Sequence, residues 1–220
     1  MRALFGVVAG ALSACKAAPV PEQAAPALQE RTLTLSLADV PRGLSPAETE
    51  GALRRAAAAW SYPQIPCTAL SLRVRTTDAP LGVEHDGAHA VMFHSRAWCR
   101  NGRRRHAACY SPRKVAITTP HFGRAREMSE ADIEINAVHY AFAAQPKASE
   151  PSLMAADLET VLVHEIGHVL GFGHPSADGE GSVMVQSSDR GTERRALDPS
   201  DVAVVCRAYP RIPSMNPGVL

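Results

Sequence analysis

An α/β fold of the α+β kind, a sheet layered against helices, is what the chain predicts, and three observations predict it. The first half contains runs that alternate apolar and polar at a period of two, the mark of half-buried strands. Residues 158–170 switch to a helical period with a broad apolar stripe. Two proline-containing capping signatures, Ser45-Pro46-Ala47-Glu48 and Asp198-Pro199-Ser200-Asp201, open further helices. Strands in one sheet with two or three helices make a layered sandwich.

Residues 31–40 put Leu33, Leu35 and Leu37 on one side and Thr32, Thr34 and Ser36 on the other, a strand with one wet face. The Ser45 box then opens a helix that runs to Trp60, buries Leu53, Ala56, Ala57 and Trp60, and is ended by Pro63 and Pro66. Residues 68–76 are a second strand, alternating at Leu70, Leu72 and Val74, and residues 90–94 a shorter, more apolar third. Residues 95–114 form a loop carrying Arg100, Arg103, Arg104 and Arg105 between Cys99 and Cys109. Residues 115–119 and 131–136 are further strands. From Leu153 the period is helical, with Leu158, Val161, Leu162, Ile166, Val169 and Leu170 on one stripe and Asp157 and Glu159 early, where the helix dipole favours acids. The last helix, capped by Asp198, turns Val202, Val205, Cys206 and Tyr209 to the core and stops at Pro210.

With 220 residues, 45% hydrophobic and 20% charged, the chain suits one domain with a real core. Its 23 Lys and Arg against 22 Asp and Glu argue against a nucleic-acid binder, which carries a basic footprint. Residues 1–15 read as a targeting segment: Arg2 is the positive region, and residues 4–12 are apolar but too short to span a bilayer. Leu12-Ser13-Ala14-Cys15 resembles the lipobox of bacterial lipoproteins, in which Cys15 would be lipidated and become the new N-terminus. The alternative is an ordinary signal peptide cut after small residues such as Ala11, giving a secreted protein. Residues 16–30, rich in Ala, Pro and Gln, read as a flexible tether, residues 31–211 as the domain and residues 212–220 as a tail. Lys16 is not the aspartate that retains lipoproteins at the inner membrane, which leans to the outer membrane or cell surface. With Cys15 assigned to lipid, Cys67, Cys99, Cys109 and Cys206 remain, an even set in an exported chain where disulfides form. Three pairings are open. Cys99 and Cys109 bracket one loop, so a bridge there is simplest, and it leaves Cys67 for Cys206.

The chemistry lies in His164-Glu165-Ile166-Gly167-His168-Val169-Leu170-Gly171-Phe172-Gly173-His174. Histidines at i and i+4 share a helix face, so His164 and His168 can reach one metal. Were the helix to continue, His174 would be rotated by about 240° and displaced by about 9 Å from His168. Gly171 resolves this, because glycine adopts the left-handed conformation that ends a helix and turns the chain back. Three neutral imidazoles and one water give zinc an open tetrahedral site, the catalytic pattern. Zinc would bring the pKa of that water toward ~7, and Glu165 would take its proton and return it to the leaving amine. A chance His-Glu-x-x-His arises in about two such chains in a hundred, and with the added Gly and His in about one in ten thousand. The isolated His85, His89, His94 and His139 read as satisfied or exposed.

This stretch resembles the zinc signature of the metzincins, and its flanks look like the matrixin branch. The resemblance spans residues 31–210, although its specific motifs fall within 157–184. It implies a zincin-like fold, a twisted, mostly parallel sheet with an active-site helix and a C-terminal helix. Ser182-Val183-Met184 looks like the Met-turn, which implies Met184 beneath the metal, and Leu197, Asp201, Val202 and Tyr209 resemble the closing helix. There are departures. Pro175 follows the third histidine where matrixins have serine or threonine, which looks more like serralysins, yet no tyrosine follows Met184 at the serralysin spacing, so no tyrosine ligand is implied. Matrixins also hold a structural zinc through histidines in two central strands; the matching positions are Thr118 and Asp132, so that site is not carried over. Residues 16–30 contain no cysteine, so control by a cysteine switch is not expected.

The resulting expectation is a monomeric, extracytoplasmic, lipid-anchored zinc endopeptidase acting on protein or peptide substrates, with no nucleic acid involved. The alternatives are a peptidase of narrow scope, including a self-processing one, and a zinc-binding lipoprotein with restricted or lost catalysis. Glu165 and the three intact ligands stand against the last. Ala116, Ile117 and Thr118 lie in a β-branched run ending at Pro120, which suits an edge strand that an extended substrate could pair with. Residues 185–196 match the place of the specificity loop but carry no readable preference. The arginine run at 100–105 reads as a solvated loop, with acidic-substrate preference as its functional alternative. Asp178, Glu180 and Asp189 offer calcium ligands without a diagnostic spacing.

Overall fold

In chain order the elements are β1 (Thr32–Leu37), α1 (Pro46–Ala59), β2 (Ser71–Thr76), β3 (His89–His94), β4 (Cys99–Arg100), β5 (Ala108–Cys109), β6 (Ala116–Phe122), β7 (Met128–Asn136), β8 (Ala141–Ala143), β9 (Ala155–Asp157), α2 (Leu158–Val169) and α3 (Pro199–Ala208). The structure is a computed structural model and describes residues 31–100, 108–124, 127–144, 155–175, 181–186 and 193–211. Residues 1–15 with Cys15, the 16–30 tether, the 212–220 tail, Arg103, Arg104, Arg105, Asp178, Glu180 and Asp189 lie outside them.

Five strands form one sheet in the order β2-β1-β3-β7-β6. β1 pairs in parallel with β2 and β3, and β3 with β7, while β6 closes the edge antiparallel to β7. The sheet is therefore mostly parallel. In β1, Leu33, Leu35 and Leu37 are buried and Thr32 and Thr34 exposed as the alternation predicts, but Ser36, read onto the wet face, is buried too, its hydroxyl accepting from Arg75. Ser45 caps α1 through a reciprocal box with Glu48, and Leu53, Ala56 and Ala57 face the core together with Trp60 at the helix end. Ile133 and Ile135 of β7 meet Leu162 and Ile166 of α2 in the same cluster.

The differences from the sequence reading are instructive. β2 starts at Ser71 because Thr68 and Ala69 bond the end of the chain instead, at Pro210 and Tyr209. The Cys67–Cys206 disulfide lies at this junction, and a second disulfide joins Cys99 to Cys109 across β4 and β5. The 95–114 segment is thus not simply a loop. α2 starts at Leu158, capped by Asp157; what precedes it is β9, paired in parallel with β8. β6 runs on through Pro120 to Phe122 with an irregularity at His121, which an edge position tolerates.

The polar face of β7 departs most. Glu130, Asp132, Glu134 and Asn136 alternate with the core residues as a wet face would, yet all four are buried. The 84–90 segment covers the first two: Glu130 accepts from the backbone N–H of Asp86 and Gly87, and Asp132 from those of Glu84 and Ala90. Glu134 accepts from Arg100 at 2.8 Å and the Tyr110 hydroxyl at 3.0 Å, with His94 Nε2 also at 3.0 Å. Arg100 also reaches Thr119, so it is tied inward rather than free on a solvated loop. Burial alone would push the Glu134 carboxyl up, but the bonds from His94, Arg100 and Tyr110 together hold it below the ordinary range. His85 meets Ser129, His89 the backbone of Ala131, and His139 Asn136, so each is satisfied.

Candidate metal centre and active site

α2 ends at the point the two histidines require. Gly171 has φ of +88°, the left-handed region, and two bonds close the end: Phe172 N to Gly167 O and Gly171 N to His168 O. This is the paired capping arrangement that satisfies terminal carbonyls and reverses the chain. Phe172 then packs against Trp60 and Tyr209, and the Tyr209 hydroxyl donates to Leu170 O, so α1 and α3 both brace the turn.

The turn brings His174 back to His164 and His168. The three Nε2 atoms lie 3.1, 3.1 and 3.2 Å apart. Tetrahedral zinc with Zn–N of ~2.0–2.1 Å needs nitrogens about 3.3–3.4 Å apart, so the spacing suits that ion. The tautomers agree. His164 Nδ1 lies 2.8 Å from Val183 O and His168 Nδ1 2.7 Å from Phe172 O, contacts that require Nδ1–H to donate. Each Nε2 therefore presents a lone pair, and lone pairs at this separation repel unless a cation lies between them. Burial lowers the pKa of all three histidines, which keeps them in the neutral, ligating form.

Val183, the carbonyl partner of His164, is held by α3. Asp201, buried in the first turn, accepts from Ser182 Oγ at 2.5 Å and from Val183 N at 3.0 Å. Met184 follows and is buried against α2. A Cβ on Gly167 would run into the Met184 sulfur and the Trp60 ring, so the residue between the two helical histidines must lack a side chain for this packing.

Glu165 is 6% exposed, and the Thr118 hydroxyl donates to its Oε2 at 2.6 Å. Burial pushes the Glu165 carboxyl up, and the Thr118 bond opposes that shift. β6 stands at the sheet edge beside α2, with Ala116, Ile117 and Thr118 along it. In the pairing of β6 with β7, Asp132 stands opposite Thr119, while Thr118 pairs with Ile133 and turns its side chain to Glu165. A second cluster, His121 with Glu130 and Asp132, holds groups of metal-ligating type. Its carboxylates already take the backbone N–H groups of the 84–90 segment and the His121 ring, so they anchor that segment.

Sequence reasoning passed over the Thr118 hydroxyl, the Asp201 carboxylate and Gly167. Asp201 stands at the third position of a capping box and reads as no more than a cap. Gly167 did carry a signal, since a glycine inside a helix often marks close approach of another group.

The matrixin family model matches residues 27–210. Metalloendoproteinase 1-MMP of Arabidopsis thaliana is 44% identical over 65 residues, 30% of this chain and 17% of that protein. Metalloendoproteinase 2-MMP of the same plant is 42% identical over 62 residues, 28% of this chain and 16% of that protein. The matched stretches are thus short parts of both relatives, whereas the family model takes in the sheet, the histidine triad and α3 together. On that breadth of match the chain belongs to the matrixin family of zinc metallopeptidases.

Proposed function

We propose that the chain is a zinc endopeptidase working outside the cytoplasm. The observation that carries this reading is the convergence of the three histidine Nε2 atoms, with the buried carboxylate of Glu165 on the helix that carries two of them. His164, His168 and His174 would hold zinc, which when bound polarises the scissile carbonyl and acidifies the attacking water. Glu165 takes the water's proton and passes it to the leaving amine; its buried, raised carboxyl can hold a proton between the two transfers. Ala116, Ile117 and Thr118, on the edge strand, would pair with the extended substrate backbone. Met184 and Asp201 keep the ligand shell in place through Gly167 and Val183.

The test is hydrolysis of an unfolded protein such as reduced casein, with and without chelator. Cleavage abolished by chelator and restored by zinc supports the reading, and no cleavage under any metal loading contradicts it. Residues 1–15 support a lipid anchor at Cys15. Cys15→Ala should release the full chain from bacterial membranes or block its maturation. Unchanged gel mobility and membrane association would refute the anchor.

A further inference from the structure

Thr118 stands where the substrate strand meets the catalytic carboxylate. Its hydroxyl is 2.6 Å from Glu165 Oε2 and 3.3 Å from Glu165's own carbonyl oxygen. A hydroxyl has one proton to donate, and the shorter, better contact is the carboxylate. A threonine is stiff at χ1 and its backbone is fixed by pairing with Ile133 of β7, so this donor is mounted on a rigid strand. Glu165, by contrast, has three side-chain torsions and lies on α2, a different element.

Resting on the peptidase reading, we propose that Thr118 is a positioning residue: its hydroxyl engages Oε2 of Glu165 and leaves Oε1 as the oxygen that handles the proton. The same strand offers its backbone to the substrate, so base and scissile bond are aligned by one element. A carboxylate freed to rotate would keep the zinc ligands intact and yet face the water badly. Misplacement of a reacting group by about 1 Å can cost about 10²-fold in rate.

The experiment compares wild type, Thr118→Val, which keeps the branched shape and loses the hydroxyl, and Thr118→Ser, which keeps the hydroxyl. Zinc per chain, KM, kcat and the affinity of the zinc-loaded protein for acetohydroxamate are measured. That probe chelates the metal and donates its hydroxyl to an oriented carboxylate. Thr118→Val should keep its zinc and KM while kcat falls about 10- to 100-fold and acetohydroxamate binds about tenfold more weakly; Thr118→Ser should recover to within about threefold. The proposal is overturned if Thr118→Val keeps wild-type kcat and probe affinity. It is equally overturned if that variant loses zinc in step with activity, or if Thr118→Ser is no better than Thr118→Val. Should wild type cleave no peptide, the peptidase reading fails by itself, and the probe affinities of the three proteins still decide the role of Thr118.

Discussion

The two faces of β7 carry the same alternation and are covered by different means. Ile133 and Ile135 share the apolar core with residues of α1 and α2, where covering is apolar and the covering elements are regular helices. Glu130, Asp132, Glu134 and Asn136 on the opposite face are as deeply buried, but beneath irregular chain held by carboxylate hydrogen bonds and the Cys99–Cys109 bridge. One side is organised by period and the other by long-range pairing. The helix that carries His164 and His168 belongs to the first, and the second reaches the edge strand through the bond from Arg100 to Thr119.

The largest expected difference between the regions lies in the two disulfides. Cys67–Cys206 has a sequence separation of 139 and ties the segment before β2 to α3, whereas Cys99–Cys109 spans 10. On the chain-entropy model, the double serine variant of the first should lose about 5 kcal/mol and that of the second about 3 kcal/mol. Denaturant titration of the zinc-loaded protein measures both, and equal losses would mean that strain or local structure outweighs loop length.

A smaller effect sits on the loop-covered face. Glu134→Gln should lose about 1.5–2 kcal/mol, at the low end for a charged hydrogen bond because Arg100 and His94 reach water. Zinc content and kcat should not change. The variant also alters the pH dependence. Between the ordinary glutamate value of ~4.3 and its lower folded value, the unfolded chain holds the proton and the folded one does not. The Glu134 contribution is therefore complete above that window and is lost as pH falls through it. In metal-free protein, wild type should show the steeper fall in stability below about pH 4.3, and Glu134→Gln the shallower one. Parallel curves would show that Glu134 is not held ionised by its partners.

This contrast explains what could be read from the chain. β1, the capped starts of α1 and α3 and the turn at Gly171 rest on local signals: alternation, capping boxes and one glycine between histidines. The histidine triad was legible because spacing on a helix and one turn decide its geometry. The covering of Glu134 by Arg100 and the anchoring of the 84–90 segment depend on partners 34 to 48 residues away, which no local period encodes. Thr118 was read as an edge-strand residue, but its face could be fixed only by the register of β6 on β7. Asp201 looked like a cap because its bonds to Ser182 and Val183 arrive from residues outside its helix.

In the proposed mechanism Glu165 handles the proton while the three histidines alone hold the metal. Glu165→Ala measured for zinc content and peptide turnover tests it most directly, with His168→Ala alongside. Glu165→Ala should keep its zinc and lose turnover by about 10²-fold or more, whereas His168→Ala should lose both. Substantial turnover in Glu165→Ala, or loss of its zinc, would rule out these roles.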